Sequence, residues 1–537
     1  MLVEPAEADF ARLYAAGEPQ VVWTRLVADL ETPVSAMLKL SAGRANCFLL
    51  ESVEGGAVRG RYSIIGIAPD LIFRAAGPKA EINTDPAGNP DRFEPLPEPP
   101  LVALRRLIEA SRIRLPDSLP PMSAGIFGYL GYDMVREMEA IGLPNPDPLG
   151  LPDAILLRPT VIVVFDSVKD EVTIVTPVRP APGIEAPAAL ARAIERLNGV
   201  VDALDTPLDK AKEQSEIDIN MPVVSNTPKE RYLQMVARAK DYIAAGDIFQ
   251  VVLSQRFEAP FDLPPFALYR ALRRVNPSPY LYYLDFGGFA VAGSSPEILV
   301  RVRGGEVTIR PIAGTRRRGA DAEEDKALEA ELLADPKERA EHLMLLDLGR
   351  NDVGRVAEIG SVKVTDQFFP EYYSHVMHIV SNVIGRLDPA HDALDALAAG
   401  FPAGTVSGAP KVRAMQIIDE LELEKRGVYA GCVGYFTANG DMDSCIILRT
   451  SIVKDGRMYV QSGAGIVADS VPESEHEECR AKARALFRAA EEAVRFAPSV
   501  GRGQSGARPS RSRSLAPAPS SPPTRRPIRR GTCSSTP

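Results

Sequence analysis

The sequence predicts an α+β protein in which mixed, largely antiparallel sheets are covered by helices on the outside. Apolar runs at residues 160–165 and 172–175, separated by a polar turn, predict a hairpin of two strands. Two further strands are predicted close together, at residues 289–293 and 297–300. Because the strands cluster in pairs and do not alternate singly with helices, a largely antiparallel arrangement follows.

The remaining elements are predicted from helical periodicity and from chain breakers. Residues 229–246 are predicted to form an amphipathic helix that ends at a glycine, and residues 249–257 are predicted to form a strand. Residues 85–100 are rich in Pro and Gly, and residues 204–227 are polar, so both segments interrupt the chain.

Three regions are expected along the 537 residues, a length that allows more than one domain. They are an N-terminal domain at residues 1–225, a second domain at residues 226–498 and a tail at residues 499–537. The tail holds eight arginines and no acidic residue, whereas the whole chain has a net charge of −9. Its Ser, Pro, Arg and Gly content predicts disorder. It has no aromatic residues for base stacking, so nucleic acid is not expected as a partner.

The composition favours a cytoplasmic protein. The sequence contains no apolar run long enough to span a bilayer, and its N-terminus lacks the basic and apolar segments of a signal peptide. The five cysteines are odd in number and form no C-x-x-C pair. A reducing compartment, without structural zinc or disulfides, is therefore expected.

Two carboxylate-rich stretches, at residues 340–348 and 472–482, are predicted to be helices. In the first, Glu341 lies among apolar neighbours, so its side chain is expected to point into a protected space. In the second, Glu475 and Glu478 share one helical face. Sheltered carboxylates without a Cys or His cluster beside them suit a hard cation such as Mg²⁺. Taken alone, each stretch is more typical of a solvated acidic face.

Two glycine-rich segments are not nucleotide-binding loops. Residues 404–411 lack the glycine spacing of a phosphate-binding loop and have Pro410 where that loop needs lysine. This segment is predicted to open a helix at residues 412–422, whose free N–H groups either hold a carboxylate or are simply capped. Residues 125–131 lack the spacing of a dinucleotide-binding loop.

Seven motifs in a fixed order identify a family. Besides the two carboxylate-rich stretches, they are SSPE at 294–297, RPIAGTR at 310–316, VMH at 376–378, GCVGYF at 431–436 and QSGAGIV at 461–467. In order and spacing the set resembles the large-subunit (component I) family of anthranilate synthases, within the chorismate-utilising enzymes. The resemblance is dense over residues 226–497 and looser before them. It implies an α+β sandwich of two intertwined lobes.

The resemblance implies an enzyme of tryptophan biosynthesis that converts chorismate and ammonia to anthranilate and pyruvate. Ammonia adds at C2 of chorismate as the 4-hydroxyl leaves, and pyruvate is then eliminated. Glu297 corresponds to the acid that protonates the departing hydroxyl, a task that needs a raised carboxyl pKa. His378 corresponds to the histidine of the elimination step, and Thr315 is expected to hydrogen-bond near the reacting edge of the ring. Taken singly, Glu297 is also typical of a surface acid and His378 of a core histidine.

The two carboxylates of chorismate need cations or N–H donors in an otherwise acidic pocket. The resemblance implies that Mg²⁺ between Glu341 and Glu478, with Glu475 nearby, binds the ring carboxylate. The second carboxylate is expected to meet an arginine, a tyrosine and the N–H groups of a glycine-rich turn, with a lysine supporting the metal side. These substrate-binding residues are Arg449, Tyr435, Gly463, Ala464, Gly465 and Lys482.

A separate glutamine amidotransferase subunit is expected to supply the ammonia, which makes the protein part of a hetero-oligomer. No cysteine lies in a glycine-rich nucleophile turn of the glutaminase type, and the tail is too short for a glutaminase domain. Without its partner the chain is expected to use free ammonia.

The N-terminal region is expected to confer feedback inhibition by tryptophan. Residues 47–52 (CFLLES) resemble the family's tryptophan-binding segment, and residues 276–283 (NPSPYLYY) resemble the strip that completes the pocket. Glu51 is expected to bind the ammonium group of tryptophan. The other expected contacts are Ser52, Pro279, Tyr280 and Leu281. Residues 48–50 also fit an ordinary buried strand.

Two residues separate the related activities. Aminodeoxychorismate synthases, which aminate C4, carry a lysine nucleophile where this chain has Ala313. Isochorismate and salicylate synthases, which use water, carry a lysine base at the position that Gln250 is expected to fill, and glutamine is not a base. Amination at C2 is therefore favoured. From a different class, the chain could be an inactive regulatory or nucleic-acid-binding protein that acts through its arginine tail.

Overall fold

The computed structural model describes residues 2–54, 58–208, 222–373 and 376–496. The tail predicted to be disordered, residues 499–537, lies outside these residues. Among the helices of the described segments, none is both long enough and apolar enough to cross a bilayer.

The described residues form 22 β-strands and 11 α-helices. The strands are β1 Gln20–Val27, β2 Cys47–Glu54, β3 Val58–Ala76, β4 Lys79–Asn83, β5 Glu94–Leu96, β6 Gly125–Leu130, β7 Ala154–Asp166, β8 Glu171–Val178, β9 Val224–Ser225, β10 Gln250–Pro260, β11 Tyr280–Asp285, β12 Ala290–Ser295, β13 Ile298–Arg303, β14 Glu306–Ile309, β15 Ile312–Arg317, β16 Lys363–Tyr372, β17 Val376–Arg386, β18 Gly408–Ala409, β19 Cys432–Thr437, β20 Met442–Ile446, β21 Thr450–Lys454 and β22 Arg457–Ile466. The helices are α1 Glu7–Ala15, α2 Pro33–Leu40, α3 Pro100–Ala110, α4 Ala186–Asp205, α5 Lys229–Ala244, α6 Pro265–Val275, α7 Ala322–Ala334, α8 Pro336–Gly354, α9 Ala393–Gly400, α10 Lys411–Leu421 and α11 Pro472–Phe496.

The pairings between these strands are antiparallel, and they form two sheets that share β3 and β7. The first sheet has the order β1-β8-β7-β3-β2-β11-β12-β21-β22-β10, and β10 also pairs with the short strands β9 and β18. The second sheet has the order β3-β7-β6-β19-β20-β13-β14-β17, and β17 also pairs with β15 and β16. Strands β4 and β5 extend the second sheet beyond β3.

A bulge lets β3 and β7 belong to both sheets. The register of β3 against β7 shifts between Pro69 and Leu71, directly after Ala68, whose φ of +50° is unusual for a residue with a side chain. On one side of this bulge β7 pairs with β8, and on the other side it pairs with β6. A bulge bends a strand and allows it to turn the corner between two packed sheets.

The two sheets face each other across an apolar core. Phe48 of β2 stacks on Phe127 of β6 with their ring centroids 4.7 Å apart, and Tyr282 and Val433 are buried in the same layer. Helices α1, α2, α4 and α6 pack on the first sheet, and α3, α8 and α9 pack on the second. Helices α5, α10 and α11 cover β10 and β22. The predicted α+β sandwich with helices outside is therefore confirmed.

Most of the predicted elements are present. The predicted hairpin is the antiparallel pair β7–β8, and α5 followed by β10 matches the predicted helix and strand. The strands predicted at residues 289–293 and 297–300 are β12 and β13, but they do not pair with each other: β12 pairs with β11 and β21, and β13 pairs with β14 and β20. The chain therefore crosses from the first sheet to the second at Pro296 and Glu297.

Strands from both sides of the predicted boundary at residue 225 pair with each other. Strand β2 pairs with β11, and β6 pairs with β19. The division into a regulatory part at 1–225 and a catalytic part at 226–498 stays a prediction.

Candidate active site

A cavity of about 610 Å³ opens where β10, β15, β17 and β22 meet helices α8 and α11. It gathers side chains that are far apart in the sequence, because the crossing between the sheets and the ends of both helices converge there. Ten of the predicted catalytic, substrate-binding and metal-binding residues line this catalytic cavity. They are Glu297, Thr315, Glu341, His378, Arg449, Gly463, Gly465, Glu475, Glu478 and Lys482.

Glu297 lies at the crossing from β12 to β13, where the flanking strands diverge into different sheets and leave its carboxyl between them. Glu297 is only 6% exposed to solvent. Burial raises the pKa of Glu297 to about 8, although the Thr405 hydroxyl and the Ile312 N–H favour the charged form. The carboxyl is therefore protonated at neutral pH, which is the state that a general acid requires.

His378 on β17 is held as a neutral imidazole with a defined tautomer. Its Nδ1 lies 3.0 Å from the carbonyl oxygen of Gly314 and 3.1 Å from Oγ1 of Thr315. Because a carbonyl only accepts hydrogen bonds, Nδ1 carries the proton and Nε2 keeps its lone pair. Burial, with smaller contributions from the charges of Arg449 and Lys482, lowers the pKa of His378 to about 4. The ring is thus neutral and can accept a proton at Nε2.

Arg449 brings a positive charge into the cavity. Among the described residues, no carboxylate forms an ion pair with it. It precedes β21 with φ of +48°, a left-handed conformation that is unusual for a residue with a side chain. Burial lowers its pKa, opposed by the nearby Tyr373. A buried guanidinium without an ion pair is costly unless a ligand supplies the charge, so this position suits a substrate carboxylate.

Gly463, Ala464 and Gly465 lie in strand β22 and do not form the predicted turn. The residues opposite Gly465 and Gly463 are Val252 and Ser254, and these donate their N–H groups away from β22, to Ser407 O and Glu422 Oε1. The peptide groups of the two glycines therefore point away from β10, towards the cavity.

Successive residues of β22 face opposite sides of the sheet, so Ala464 and its two glycine neighbours lie on different sides. Ala464 is fully buried in the core beneath the sheet, whereas Gly463 and Gly465 line the cavity. The missing side chain at Gly465 leaves room for a neighbour, because a Cβ there would lie 2.5 Å from Nε2 of Gln250. Of the three, only the glycines keep a role in the site.

The predicted carboxylates come from two helices that meet at one end of the cavity. Burial, followed by the charge of Glu338, raises the pKa of Glu341 on α8. On α11, burial also raises the pKa of Glu475. Glu478 accepts from Lys482 Nζ at 2.8 Å, and the same ammonium donates to Gly463 O at 3.0 Å. Lys482 thus links the carboxylates to β22.

Glu338 also lines this end of the cavity and was not predicted from the sequence. It precedes Glu341 by three residues and so shares its helical face. This i, i+3 spacing was the available signal, and it is the same signal that singled out Glu475 and Glu478.

The carboxylate end of the cavity has the chemistry of a hard-cation site. The described residues contain no tight group of three or more His, Cys, Asp or Glu side chains around a single point. The protein thus offers separate carboxylates, and a magnesium ion would complete its octahedral shell with water and substrate oxygens. After burial, repulsion from the neighbouring Glu478 contributes to the raised pKa values of Glu341 and Glu475, and a cation would relieve this repulsion.

Tyr435 does not lie in the catalytic cavity, which corrects its assignment as a substrate-binding residue. It points from β19 into the layer between the sheets, where its ring lies 5.4 Å from that of Phe127, and it lines a second cavity. Tyr429, six residues earlier, lines the catalytic cavity instead, and its hydroxyl lies beside Gly463, where a Cβ would come within 3.0 Å of it.

The floor of the catalytic cavity is fixed by a buried ion pair behind β10. Arg426 donates to Oε1 of Glu422 at 2.6 Å, to the carbonyl of Val252 at 2.6 Å and to the carbonyl of Val406 at 2.6 Å. Oε1 of Glu422 also accepts from the N–H and hydroxyl of Ser254. Every member of this network is hydrogen-bonded, so it holds β10 and the turn at residues 404–406 in place.

The second cavity, of about 510 Å³, is formed by β2, β11, β19 and β20 between the two sheets. Strands β2 and β11 pair so that Ser52 lies opposite Tyr280 and Glu51 opposite Leu281. All four residues and Pro279 line this cavity. Aromatic and apolar side chains dominate its walls, together with charged groups of both signs. The main members are Tyr62, Met122, Tyr282, Arg301, Glu371, Tyr435 and Asp443.

Alternation along the paired strands gives the five predicted effector residues different environments. Glu51 is paired with Arg273 of α6 at 2.6 and 2.8 Å and accepts from Tyr269 at 2.5 Å. Its carboxylate therefore points towards the helices, whereas Ser52 and Tyr280 face the space between the sheets. An ammonium group at Glu51 would have to share the carboxylate with Arg273.

The catalytic and second cavities share a wall. Pro296 and Ile312 line both of them. Their neighbours are divided: Glu297 and Ala313 face the catalytic cavity, and Ile298 faces the second one. Glu297 is thus adjacent in sequence to two residues, Pro296 and Ile298, that line the second cavity.

Comparison with known proteins places the chain among chorismate-binding enzymes. The family model described as chorismate binding enzyme matches residues 46–488. An anthranilate synthase component 1 of Cereibacter sphaeroides is 58% identical over 494 residues, which cover 92% of this chain and 99% of that protein. Its counterpart in Thermus thermophilus is 50% identical over 465 residues, covering 87% of this chain and 96% of that protein.

Solved structures agree with the fold. The crystal structure of anthranilate synthase component I from Streptococcus pneumoniae superposes with a TM-score of 0.70 and 41% identity, covering 80% of this chain and 92% of that one. MenF, the menaquinone-specific isochorismate synthase from Escherichia coli, has a TM-score of 0.65, covering 90% of this chain and 99% of that one. At 21% identity it shows the shared fold alone.

Proposed function

Because the chain belongs to the chorismate-binding enzyme family, we propose that it is the chorismate-converting component of an anthranilate synthase. The observation that carries this proposal is that one cavity is lined by the buried carboxyl of Glu297, the imidazole of His378 held by Gly314 O and the guanidinium of Arg449. Glu297 is a protonated acid, His378 is a neutral base and Arg449 is an unpaired cation. Together they match a substrate with two carboxylates and a hydroxyl leaving group.

In the first half-reaction, ammonia forms a bond to C2 of chorismate while the C4–O bond breaks. Glu297 gives its proton to the departing oxygen, so that water leaves and hydroxide does not. Arg449 and the N–H groups of the β22 glycines bind a substrate carboxylate and orient the ring. The product of this step is an aminated, non-aromatic ring that still carries the enolpyruvyl ether.

In the second half-reaction, the C2 proton is removed and the C3–O bond breaks, which aromatises the ring and releases pyruvate. His378 suits the acceptor role because Nε2 is unprotonated and Nδ1 is held by Gly314 and Thr315. The methylene carbon of the departing enolpyruvate takes up a proton, so the protons of this step balance.

We propose Mg²⁺ as the cofactor, held by Glu341, Glu475 and Glu478 at the end of the cavity beside Lys482. When bound, the cation would neutralise these carboxylates and attract the ring carboxylate of the substrate. The support is the donor set itself, which consists of hard oxygen ligands on two helices.

Gln250 supports ammonia over water as the nucleophile. Its buried Oε1 has no hydrogen-bond partner among the described residues, and its Nε2 lies 3.5 Å from Glu341 Oε1. The free amide oxygen can accept an N–H of ammonia, but an amide cannot deprotonate water. Ala313 lines the same cavity and offers no nucleophile for amination at C4.

A partner amidotransferase is proposed as the source of ammonia, within a hetero-oligomer in the cytoplasm. The name component 1 on the relatives refers to a part of a larger enzyme. The described cysteines are buried, and burial raises the pKa values of Cys47, Cys432 and Cys479 to about 12. Thiols of this kind are poor glutaminase nucleophiles.

Product analysis tests the proposed reaction. Purified protein with chorismate, Mg²⁺ and ammonium at alkaline pH should form anthranilate, followed by its fluorescence and by chromatography. Glutamine should replace ammonia only when the amidotransferase partner is added. A dominant product aminated at C4 or hydroxylated at C2 would overturn the assignment.

We propose tryptophan as an inhibitor that binds in the second cavity. The aromatic walls suit an indole, and charged groups of both signs suit an amino acid backbone. Ser52→Phe should fill the space beside Tyr280, so the tryptophan concentration that halves activity should rise several-fold while activity without tryptophan is kept. Unchanged inhibition in a folded Ser52→Phe protein would place the effector elsewhere.

A further inference from the structure

Arg316 binds three carboxylates at the edge of the catalytic cavity, although none of the chemistry above uses it. It follows Thr315 on β15, and its side chain is 20% exposed. Nε donates to Glu331 Oε1 at 2.9 Å, Nη2 to Asp335 Oδ2 at 2.7 Å and Nη1 to Glu338 Oε1 at 3.0 Å. The planar guanidinium satisfies all three at once, which an ammonium group could not do in the same geometry.

The three partners connect Arg316 to the start of α8. Glu331 lies in the last turn of α7, and Asp335 is the N-cap of α8. Oδ1 of Asp335 accepts from the N–H groups of Lys337 and Glu338. Arg316 therefore fixes the first turn of the helix that carries Glu338 and Glu341 into the cavity.

The contact with Glu338 also sets the direction of that carboxylate. Its Oε1 is occupied by Arg316, so Oε2 is the oxygen left for a ligand. A Cβ at Gly314 would lie 3.1 Å from Oε2, so the glycine leaves room for this oxygen beside the backbone that binds His378. Gly314 has a φ of +68°, which favours glycine for a second reason.

We propose that Arg316 is a positioning residue for the divalent-cation site. It holds Glu338 and the first turn of α8 so that Glu341 faces Glu478 across the cavity. The inference rests on the proposed magnesium site and assigns a role to a residue that touches neither cation nor substrate. A residue that orients metal ligands from behind typically changes metal affinity about 10- to 100-fold when it is removed.

The neighbouring residue Arg317 provides a matched control. It lies on the same strand and also binds α7, through Glu324, but among the described residues no hydrogen bond or ion pair joins its side chain to α8. Its side chain is 64% exposed. Arg317→Gln therefore removes an arginine and an ion pair of the same strand without changing the cation site.

The test is Mn²⁺ affinity, measured from the electron paramagnetic resonance signal of free Mn²⁺, without substrate and with chorismate in ammonia-free buffer. Arg316→Gln should weaken binding about tenfold or more, and Arg317→Gln less than about twofold. When Glu338 is already replaced by Gln, adding Arg316→Gln should cause a much smaller further loss of Mn²⁺ affinity. Both substitutions remove the same interaction, the one between Arg316 and Glu338. The Mn²⁺ affinity of Arg316→Lys should lie between those of the wild type and Arg316→Gln. If Arg316→Gln does not fold, the lysine variant takes its place in the comparison.

Folding is followed in parallel by thermal denaturation, so that loss of structure is not mistaken for loss of affinity. Wild-type Mn²⁺ affinity in folded Arg316→Gln and Arg316→Lys would overturn the positioning role. If the wild type itself bound no Mn²⁺ with chorismate present, the proposed metal site would fail, and the inference would fail with it.

Discussion

Burial, more than any charged neighbour, sets the protonation states of the two acid–base residues. It raises the pKa of Glu297 and lowers that of His378, so one group keeps its proton and the other lacks one at the same pH. Each group is held in its neutral form, because a buried charge without a partner is unfavourable. The acid and the base of the proposed reaction thus have the same physical origin.

The stability of the protein should report the protonation of Glu297 directly. Between its ordinary pKa of 4.5 and its folded value of about 8, the folded state binds one more proton than the unfolded state. The stabilisation from this group is complete below pH 4.5 and is lost as the pH rises through 8. Glu297→Gln removes this dependence, so its melting temperature should rise relative to wild type across that interval.

Calorimetry at one-unit steps of pH measures the difference in melting temperature between Glu297→Gln and the wild type. Glu306→Gln, at an exposed position of β14, is the control and should show an almost constant difference. A pH-independent difference for Glu297→Gln would show that this carboxyl is not held protonated. Activity provides a second measure, since turnover should fall as the pH rises above about 8.

The sequence motifs predicted side chains that the structure brings into one cavity, but they did not indicate every neighbour in it. Glu297, Thr315 and His378 were predicted, and they lie in one cavity. Tyr435 was misplaced because a motif does not say which face of a strand borders which cavity. Tyr429 lies in the loop between α10 and β19. Loops have no regular spacing of apolar residues, so the sequence pattern could not indicate that this side chain faces the cavity.

At the scale of elements, helices were more predictable than glycine-rich strands. The two carboxylate-rich stretches are within α8 and α11, as predicted. Residues 463–465 were interpreted as a turn whose glycines let the main chain approach the substrate, but the main-chain pairing with β10 makes them part of a strand. Tertiary pairing overrode local preference there, and that pairing cannot be read from a local window.

The buried network behind β10 should be costly to break. Arg426→Gln leaves the buried carboxyl of Glu422 without its ion-pair partner, so the free energy of unfolding should fall by about 3–5 kcal/mol. The matched control is Arg413→Gln, which breaks a half-exposed pair with Asp247 at 2.7 Å and should cost about 0–1 kcal/mol. Urea denaturation measures both. If both variants lost the same free energy of unfolding, burial of the Arg426–Glu422 pair would make no difference to its contribution to stability.

At the scale of the whole molecule, the fold class was predictable and the topology was not. Pairs of strands and amphipathic helices indicated an α+β sandwich, and this was confirmed. The pairing of β2 with β11 joins segments far apart in the chain, with strands β3 to β10 between them in sequence. Neither strand carries a local signal for its partner, so the interleaving of the two halves could not be derived from spacing.

This interleaving predicts how a divided protein behaves. A chain cut within residues 209–221 yields one piece with β1 to β8 and another with β9 to β22. Because β2, β3, β7 and β6 lie between β11 and β19, neither piece can complete its sheets alone. Each piece should be insoluble or unfolded when expressed singly, and co-expression should restore a complex with turnover.

Size-exclusion chromatography and anthranilate formation test the divided protein. Removal of residues 499–537 is the control and should leave solubility and turnover unchanged, since the composition of that segment predicts disorder. A piece covering 226–498 that folds and is active alone would contradict the role given to the N-terminal strands.

Because Pro296 and Ile312 line both cavities, a change in one cavity can reach the other through this wall, and any such coupling must be reciprocal. If an occupant of the second cavity lowers the affinity of the catalytic cavity for chorismate by some factor, chorismate must lower the affinity for that occupant by the same factor. A cell rich in chorismate would then tolerate more inhibitor before the enzyme slows. The set point of the feedback would depend on the supply of substrate as well as on the concentration of the end product.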